Sequence, residues 1–265
     1  MKAQHSDAPE RTEAGDLAGA AIVIPAFNEA ATIGPLVRAC LALPGPPRVI
    51  VVDDGSADAT AVEAAAAGAR VLPRRPNAGK GAALRHGFRA ALAEGVGFIA
   101  TMDADGQHDP ADIPRLLDAA AAGRVVIGAR TPCPDTPPGR LLANRIADFW
   151  VSWAARQPVT DSQCGLRVYP AALARRLAGG GAGSERFAFE SEALIEAGRA
   201  GFAVVAVPIA SRYPAGARAS HFRPVADIAR IVRMVAGKLL ARGMDPVGLW
   251  RSRRCRGLPP PPPAG

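Results

Sequence analysis

The sequence is poor in aromatic residues and in cysteines, and each shortage excludes a class of protein. Aromatic side chains make up 5% of the 265 residues and no recognised nucleic-acid-binding motif occurs, so a surface that stacks on bases is not expected. The four cysteines are far apart and form no C-x-x-C pair: Cys40, Cys133, Cys164 and Cys255. A zinc site or a disulfide framework is therefore not expected. We expect reduced thiols in the cytoplasm.

The sequence also lacks long apolar runs. No window approaches the roughly 18–20 uninterrupted apolar residues that a membrane-spanning helix needs. The N-terminus carries several acids and has no basic start followed by an apolar stretch, so it does not have the pattern of a signal peptide. We expect a cytoplasmic protein that is soluble or bound peripherally to the membrane surface.

Basic residues exceed acidic ones in number. The chain has 32 Lys and Arg against 24 Asp and Glu, a formal net charge of +8, and a hydrophobic fraction of 49% that is enough for a packed core. A positive charge admits nucleic acid, an anionic lipid or a phosphorylated substrate as the partner. A nucleic-acid-binding or scaffold protein is the alternative to an enzyme, and the shortage of aromatic residues argues against it.

Short apolar runs alternate with amphipathic stretches in the first half of the chain. Strands are predicted within residues 20–27, 48–56, 69–75, 97–107 and 124–130, and helices within 28–41, 58–68, 79–95 and 110–122. This alternation is typical of an α/β fold whose mostly parallel, Rossmann-like sheet has helices on both faces. Ligands bind beyond the carboxyl ends of such strands. The acids expected to converge there are Glu29, Asp53, Asp54, Asp103 and Asp105.

The pattern is looser after residue 130. Helices are predicted at 140–157, 189–201 and 228–242 and a strand at 202–210, whereas 161–170 is predicted to be turn-like. The domain prediction is a disordered tail over 1–18, one domain over 19–245 and a basic, proline-rich tail over 246–265. The cationic amphipathic helix at 228–242 suits an anionic bilayer surface or, alternatively, ordinary packing with a solvated basic face.

Two acids one residue apart, Asp103 and Asp105, follow the predicted strand within 97–107. Side chains at this spacing point to opposite faces of a strand, but at the strand end the chain can turn and bring both carboxylates to one cation. Hard oxygen ligands suit Mg²⁺ or Mn²⁺, which clamps phosphates and neutralises a leaving group. A D-x-D pair alone is weak evidence, because a surface turn has the same pattern.

Eight segments fall in order along the chain at suitable spacings. They are IVIPAFNEA (22–30), VVDDGSADAT (51–60), NAGKGAALRHGF (77–88), MDADGQHDP (102–110), VIGAR (126–130), DSQCGLRVY (161–169), FESEALIEAGRAG (189–201) and SHFRPVADIARI (220–231). Together they resemble the inverting family 2 glycosyltransferases with the GT-A fold, particularly dolichol- and polyprenyl-phosphate mannosyl- or glucosyltransferases. The resemblance implies a GT-A domain with a smaller acceptor-side region.

The resemblance also implies which residues hold the nucleotide-sugar donor. They are Pro25, Phe27, Glu29, Val52, Asp54, Lys80, Asp103, Ala104, Arg218 and His221. The family often has Tyr at the position of Phe27, so this chain keeps the aromatic surface and loses one hydroxyl. The alternatives are a capping role for Asp53 or Asp54 after the strand and a solvated side chain for Lys80.

Metal and catalytic roles follow from the same resemblance. The implied metal ligands are Asp103, Asp105 and Gln107, and the implied catalytic residues are Asp105, Arg130 and Glu192. Glu190 is the alternative to Glu192 as the acceptor-side acid, and a helix-surface salt bridge is the alternative for either. His108 is expected to be structural. Asp161 and Arg167 are implied to shape the acceptor cleft, and Arg218 and His221 to lie in a lid over the diphosphate.

The implied reaction is a single in-line displacement at the anomeric carbon with inversion. Metal and basic residues would stabilise the departing nucleotide diphosphate. A hydroxyl acceptor needs a carboxylate general base, whereas a lipid phosphate is already an anion. A soluble hydroxyl acceptor is the alternative to the lipid phosphate, and GDP-mannose and UDP-glucose are both open as donors.

Overall fold

The computed structural model describes residues 17–131, 138–179, 189–210, 224–241 and 243–253. Within them the strands are β1 Ala20–Ala26, β2 Arg48–Asp53, β3 Arg70–Pro73, β4 Phe98–Thr101, β5 Arg124–Arg130, β6 Arg167–Pro170 and β7 Ala203–Ile209. The helices are α1 Ala30–Leu41, α2 Thr60–Ala66, α3 Lys80–Ala93, α4 Ile113–Asp118, α5 Pro138–Ala155, α6 Ala171–Gly179, α7 Phe189–Arg199, α8 Pro224–Leu240 and α9 Pro246–Arg253.

The seven strands form one sheet in the order β3-β2-β1-β4-β6-β5-β7. Neighbouring strands are parallel except for β6, which runs antiparallel to both β4 and β5. The predicted α/β class with a mostly parallel sheet is therefore confirmed.

The order of the strands creates a switch point between β1 and β4. The chain moves outward from β1 to β3 through α1 and α2, and then returns through α3 to β4 on the other side of β1. With right-handed crossovers, this reversal puts α1 and α2 on one face of the sheet and α3 on the other. The carboxyl ends of β1 and β4 consequently flank the crevice in which open α/β sheets bind ligands.

Close packing of α3 on the sheet positions the start of that helix. The β1 residues Ile22, Val23 and Ile24 are completely buried, as expected of a central strand covered on both faces. Gly87 lets α3 approach, because a Cβ at this position would overlap the side chain of Val23. The first residue of α3, Lys80, lies beside Asp103, beyond the carboxyl ends of β1 and β4.

The segment at 161–170 differs from its prediction. It was predicted to be turn-like, but Arg167–Pro170 form β6, which is buried throughout and pairs with strands on both sides. Four residues are too few to show a strand periodicity, and the charge of Arg167 hides the buried character of the segment.

The last two helices pack on α5. Val235 and Leu239 of α8 are completely buried, and Gly248 and Ser252 of α9 are buried as well. The region predicted as a tail over 246–265 thus begins with a packed helix, while residues 1–16 and 254–265 lie outside the described part of the chain and their disorder stays a prediction. Among the described helices, none combines the length and the apolar character needed to cross a bilayer.

Candidate active site

The loops after β1 and β2 are tied together by hydrogen bonds. The backbone N–H of Asn28 donates to the hydroxyl of Ser56 at 2.9 Å, and the side-chain oxygen of Asn28 accepts from the N–H of Ala57 at 2.8 Å. Asn28 has a φ of 57°, a conformation that asparagine tolerates better than most residues. This turn leaves Phe27 39% exposed beyond β1, so an aromatic face is available at the edge of the crevice.

The other residues predicted to bind the nucleotide-sugar donor differ in how exposed they are. Pro25 and Glu29 are half-buried, the first near the carboxyl end of β1 and the second just beyond it. Val52 is completely buried between its neighbouring strands, so its contact with a donor stays a prediction. Arg218 and His221 lie outside the described residues, and their contact with a donor stays a prediction.

The two acids that follow β2 both accept hydrogen bonds from backbone amides. Asp53 accepts from the N–H of Ser56 at 3.0 Å, which closes the turn after the strand. Asp54 accepts from the N–H of Gly79 at 2.6 Å and lies 3.4 Å from a guanidinium nitrogen of Arg74. Asp53 thus closes a turn and caps no helix, because α2 begins only at Thr60 with Ala59 at its N-cap, and Asp54 fixes the loop that leads into α3.

Lys80 lies between two carboxylates. Its Nζ is 2.5 Å from Oδ1 of Asp103 and 2.5 Å from Oε1 of Glu190. The second oxygen of Glu190, Oε2, is buried and has no hydrogen-bond partner among the described residues. The start of α3, the end of β4 and the start of α7 therefore meet at one partly buried cluster of charges.

Burial and neighbouring charges set the protonation of this cluster. Burial disfavours the ammonium of Lys80, but Asp103 and Glu190 outweigh burial and raise the pKa of Lys80. Burial also opposes the charged form of Asp103, yet Lys80 and His108 hold the pKa of Asp103 below its ordinary value. Burial and then the charge of Asp103 raise the pKa of Asp105. Asp105 is consequently the acid whose charged form a bound cation would favour most.

The carboxylate of Asp103 rests against the backbone of Gly165. A Cβ at position 165 would overlap both carboxylate oxygens of Asp103. The hydroxyl of Thr101 donates to the carbonyl of Gly165 at 2.9 Å, which ties this segment to β4. Gly165 was not predicted from the sequence, because its role depends on a contact between segments that are distant in the chain.

Arg130 is oriented at the end of β5 by a pair of acids. Its Nε donates to Oδ2 of Asp161 at 2.8 Å and its Nη2 donates to Oδ1 at 2.7 Å. The N–H of Asp161 in turn donates to Asp148 of α5 at 3.0 Å. Burial opposes the charge of Arg130, but Asp161 outweighs it and raises the pKa of Arg130. Asp148 was not predicted, and nothing in its sequence context distinguishes it from a surface acid of a helix.

Arg167 is a completely buried cation that links segments of the chain. It donates to the backbone carbonyls of Cys164 at 2.8 Å, Ser162 at 2.7 Å and Glu190 at 2.7 Å. Nη1 also lies 3.3 Å from the hydroxyl of Tyr169. Arg167 therefore sets where α7 begins and, with it, where Glu190 lies.

Glu192 and Glu190 have different surroundings although both lie in the first turn of α7. Glu192 lies 3.2 Å from Arg85 of α3 and 3.0 Å from Lys238 of α8. These ion pairs join three helices. Glu192 thus contributes to helix packing, whereas Glu190 is the acid beside Lys80.

Two polar residues after Asp105 support the turn that follows β4. The N–H of Gln107 donates to Oδ1 of Asp105 at 3.0 Å. His108 is buried, with Nε2 3.9 Å from the sulfur of Cys164. Burial lowers the pKa of His108, although Asp103 opposes the shift, and the ring packs beside the site.

Asp103 and Asp105 suit a divalent cation. Within the described residues, no group of three or more His, Cys, Asp and Glu side chains converges on one point. Mg²⁺ and Mn²⁺ do not require such a group, since one or two carboxylates together with substrate phosphates and waters can complete the shell. Ala104, between the two acids, is buried. The donor set fits such an ion, which would compete with Lys80 for Asp103.

The sequence resembles that of known enzymes over most of its length. The profile of Glycosyl transferase family 2 matches residues 21–178. Polyprenol monophosphomannose synthase of Mycolicibacterium smegmatis is 32% identical over 203 residues, which cover 71% of this chain and 75% of that protein. Undecaprenyl-phosphate mannosyltransferase of Micrococcus luteus is 32% identical over 201 residues, which cover 71% of this chain and 81% of that protein.

The fold resembles that of a solved GT-A enzyme. Glucosyl-3-phosphoglycerate synthase from Mycobacterium tuberculosis, crystallised with Mn²⁺, UDP-glucose and phosphoglyceric acid, superposes with a TM-score of 0.62 and 25% identity, covering 86% of this chain and 82% of that one. The predicted GT-A fold is confirmed by this likeness. Because the family profile matches more than half of the chain, the protein belongs to glycosyltransferase family 2.

Proposed function

We propose that the chain transfers mannose or glucose, with inversion, from GDP-mannose or UDP-glucose to a polyprenyl or dolichyl phosphate. The observation that carries the proposal is the cluster of Lys80, Asp103 and Asp105 at the carboxyl end of β4, in the crevice where such sheets bind ligands. The names of the two mannosyltransferase relatives support the lipid phosphate as acceptor.

The donor is proposed to bind across the carboxyl ends of β1, β2 and β4. The exposed ring of Phe27 offers a face on which the nucleotide base can stack, and Lys80 offers a cation to the diphosphate. The proposed donor set is Pro25, Phe27, Glu29, Val52, Asp54, Lys80, Asp103, Ala104, Arg218 and His221. Asp54 contributes through the loop that it fixes before α3.

Asp103, Asp105 and Gln107 are proposed to hold Mg²⁺ or Mn²⁺. The ion would neutralise charge on the departing diphosphate. The Mn²⁺ and UDP-glucose in the structure of glucosyl-3-phosphoglycerate synthase support a divalent ion in this fold. A bound diphosphate would give Lys80 a new anionic partner and so free an oxygen of Asp103 for the ion.

The acceptor phosphate is proposed to bind on the side of Arg130, whose guanidinium is held in place by Asp161. A phosphate anion can attack the anomeric carbon without a general base, so the protein must chiefly hold two anions together. We place Glu190, rather than Glu192, on the acceptor side. Glu190 has a buried oxygen with no described partner, whereas Glu192 pairs with cations of two other helices.

The second candidate is transfer to a soluble hydroxyl acceptor. The phosphoglyceric acid in the solved neighbour favours it. In that reaction Glu190 would be the general base that a hydroxyl needs. The two candidates share the donor site and differ only in the acceptor.

The enzyme is proposed to work at the cytoplasmic face of a membrane, where it meets its lipid acceptor. Cys40 and Cys164 are free thiols, which fits a reducing compartment. Contact with a bilayer requires a surface that carries exposed apolar side chains and positive charges.

The proposal is tested by calorimetric titration of UDP-glucose and GDP-mannose with and without Mn²⁺, followed by transfer assays with polyprenyl phosphate and with 3-phosphoglycerate. We expect one donor to bind in a Mn²⁺-dependent way and its sugar to reach the lipid. Asp105→Asn should weaken Mn²⁺-dependent donor binding by more than about tenfold, as loss of metal-site contacts does. Asp118→Asn, an exposed acid of α4, is the matched control.

Two results would contradict the proposal. A folded Asp105→Asn variant that binds donor normally with Mn²⁺ would remove the metal assignment. Transfer to 3-phosphoglycerate but not to polyprenyl phosphate would select the second candidate.

A further inference from the structure

Exposed large apolar side chains gather where α8 turns into α9. Of the eight such residues in the described part of the chain, four lie between positions 240 and 250: Leu240, Met244, Val247 and Trp250, which are 67%, 40%, 47% and 52% exposed. Val247 and Trp250 are three residues apart in α9 and share one face of that helix, whereas Leu240 ends α8 and Met244 lies in the turn between the two helices. We refer to these four residues as the 240–250 corner.

The inner side of this corner is fastened to α5. The indole N–H of Trp153 donates to the backbone carbonyl of Asp245 at 3.0 Å, and Nε of Arg156 lies 3.1 Å from the Asp245 carboxylate. The N–H of Gly248 also donates to Asp245, at 3.0 Å, and a Cβ on Gly248 would crowd the carbonyl of Trp153. Gly248 and Ser252 therefore define the packed side of α9, and Val247 and Trp250 lie on its exposed side.

Positively charged side chains lie next to the 240–250 corner. Arg251 and Arg253 in the last turn of α9 are exposed. The one acid between positions 240 and 253 is Asp245, and its charge is already balanced by Arg156. The corner thus combines an apolar tip with cations and has no unbalanced negative charge.

The apolar face of α8 itself does not offer an alternative contact surface. Val235 and Leu239 are completely buried, and Lys238, one of the cations of this helix, pairs with Glu192. The described half of α8 therefore packs as an ordinary helix, which the sequence left open as one of two alternatives.

We propose that the 240–250 corner inserts into the surface of an anionic bilayer. Val247 and Trp250 enter the interface, where apolar and aromatic side chains are favoured, and Arg251 and Arg253 meet lipid phosphates. A second copy of the chain fits less well, because a two-fold contact would bring the same arginines of both copies together. The inference rests on the proposed function, in which the acceptor is a membrane lipid.

The test is sedimentation of the full chain with vesicles of equimolar phosphatidylcholine and phosphatidylglycerol, and with vesicles of phosphatidylcholine alone. We expect binding to the anionic vesicles. The double variant Arg251→Gln/Arg253→Gln should weaken that binding roughly tenfold or more, since each cation near the surface contributes. Val247→Ser/Trp250→Ser should weaken it comparably. The matched controls are Arg175→Gln/Arg176→Gln, two exposed arginines of α6, and Val62→Ser, an exposed apolar residue of α2.

Each outcome decides the matter. Loss of vesicle binding in the corner variants and not in the controls supports the inference. Absence of vesicle binding, or equal loss in the controls, overturns it, as does a dimer in light scattering that the corner variants dissociate. Donor titration of the same samples distinguishes failure of the bilayer inference from failure of the proposed function. Normal Mn²⁺-dependent donor binding without vesicle binding contradicts only the bilayer inference. Failure of donor binding contradicts the proposed function.

Discussion

At the scale of single residues, Lys80 is a cation that the protein itself supplies to Asp103. Lys80→Met keeps the length of the side chain and removes its charge. We expect Mn²⁺ affinity in the absence of donor to rise roughly tenfold, because a divalent ion no longer competes with an ammonium group. Affinity for the nucleotide diphosphate should fall, since Lys80 is proposed to contact it. Electron paramagnetic resonance titration of Mn²⁺ measures the first effect and calorimetry the second.

The Lys80 variant needs a companion, because it leaves the buried carboxylate of Glu190 without its cation and an unpaired buried charge destabilises a fold. Lys80→Met/Glu190→Gln removes both charges and should fold. Lys238→Met is the control, since Lys238 pairs with Glu192 on another side of α7. Unchanged Mn²⁺ affinity in the folded double variant would show that Lys80 and the ion do not share Asp103.

At the scale of elements, two glycines mark close approaches of different kinds. A Cβ at Gly165 would meet the carboxylate of the Asp103 side chain, whereas a Cβ at Gly198 would meet the backbone carbonyl of Ala155, where α7 packs on the end of α5. Gly165→Ala should lose Mn²⁺-dependent donor affinity, because Asp103 must rotate away, and it should lose less stability than Gly198→Ala, because a carboxylate can turn where a backbone carbonyl cannot. Gly198→Ala should lower the free energy of unfolding by about 1–3 kcal/mol through overpacking.

Chemical denaturation and donor calorimetry on the two glycine variants separate these effects. The reverse pattern, with Gly165→Ala unstable and Gly198→Ala deficient in donor binding, would contradict the assignment of Asp103 to the metal site. Loss of both properties in both variants would contradict it equally.

The sequence predicted the elements whose pattern is local. Continuous apolar strands and the acids after them predicted β1, β2 and β4 and the position of Asp103 beyond the carboxyl end of β4. It could not predict β6 as a strand, because Arg167 is buried by carbonyls from other parts of the chain. It also could not find Gly165 or Asp148, whose contacts join segments far apart in the sequence.

At the scale of the whole molecule, α5 connects the site with the end of the chain. Its residue Asp148 holds Asp161, which orients Arg130. The same helix carries Trp153, to which the turn before α9 is fastened. The acceptor side of the site and the 240–250 corner are therefore built on one helix, so a bilayer that meets the corner would have a fixed relation to Arg130.

This arrangement predicts where the folded domain ends. Truncation after Asp245 removes Leu249, which is partly buried against the core, and should lower the free energy of unfolding by about 1–2 kcal/mol, somewhat less than the value for a fully buried leucine. Truncation after Arg253 removes only the proline-rich sequence and should change the free energy by less than about 0.5 kcal/mol. Urea denaturation followed by circular dichroism measures both. If the two truncated chains unfold at the same urea concentration as the full chain, the domain ends at 245, as the sequence indicated, and α9 adds no stability. If only the shorter chain is destabilised, α9 is part of the folded domain and holds the 240–250 corner in place.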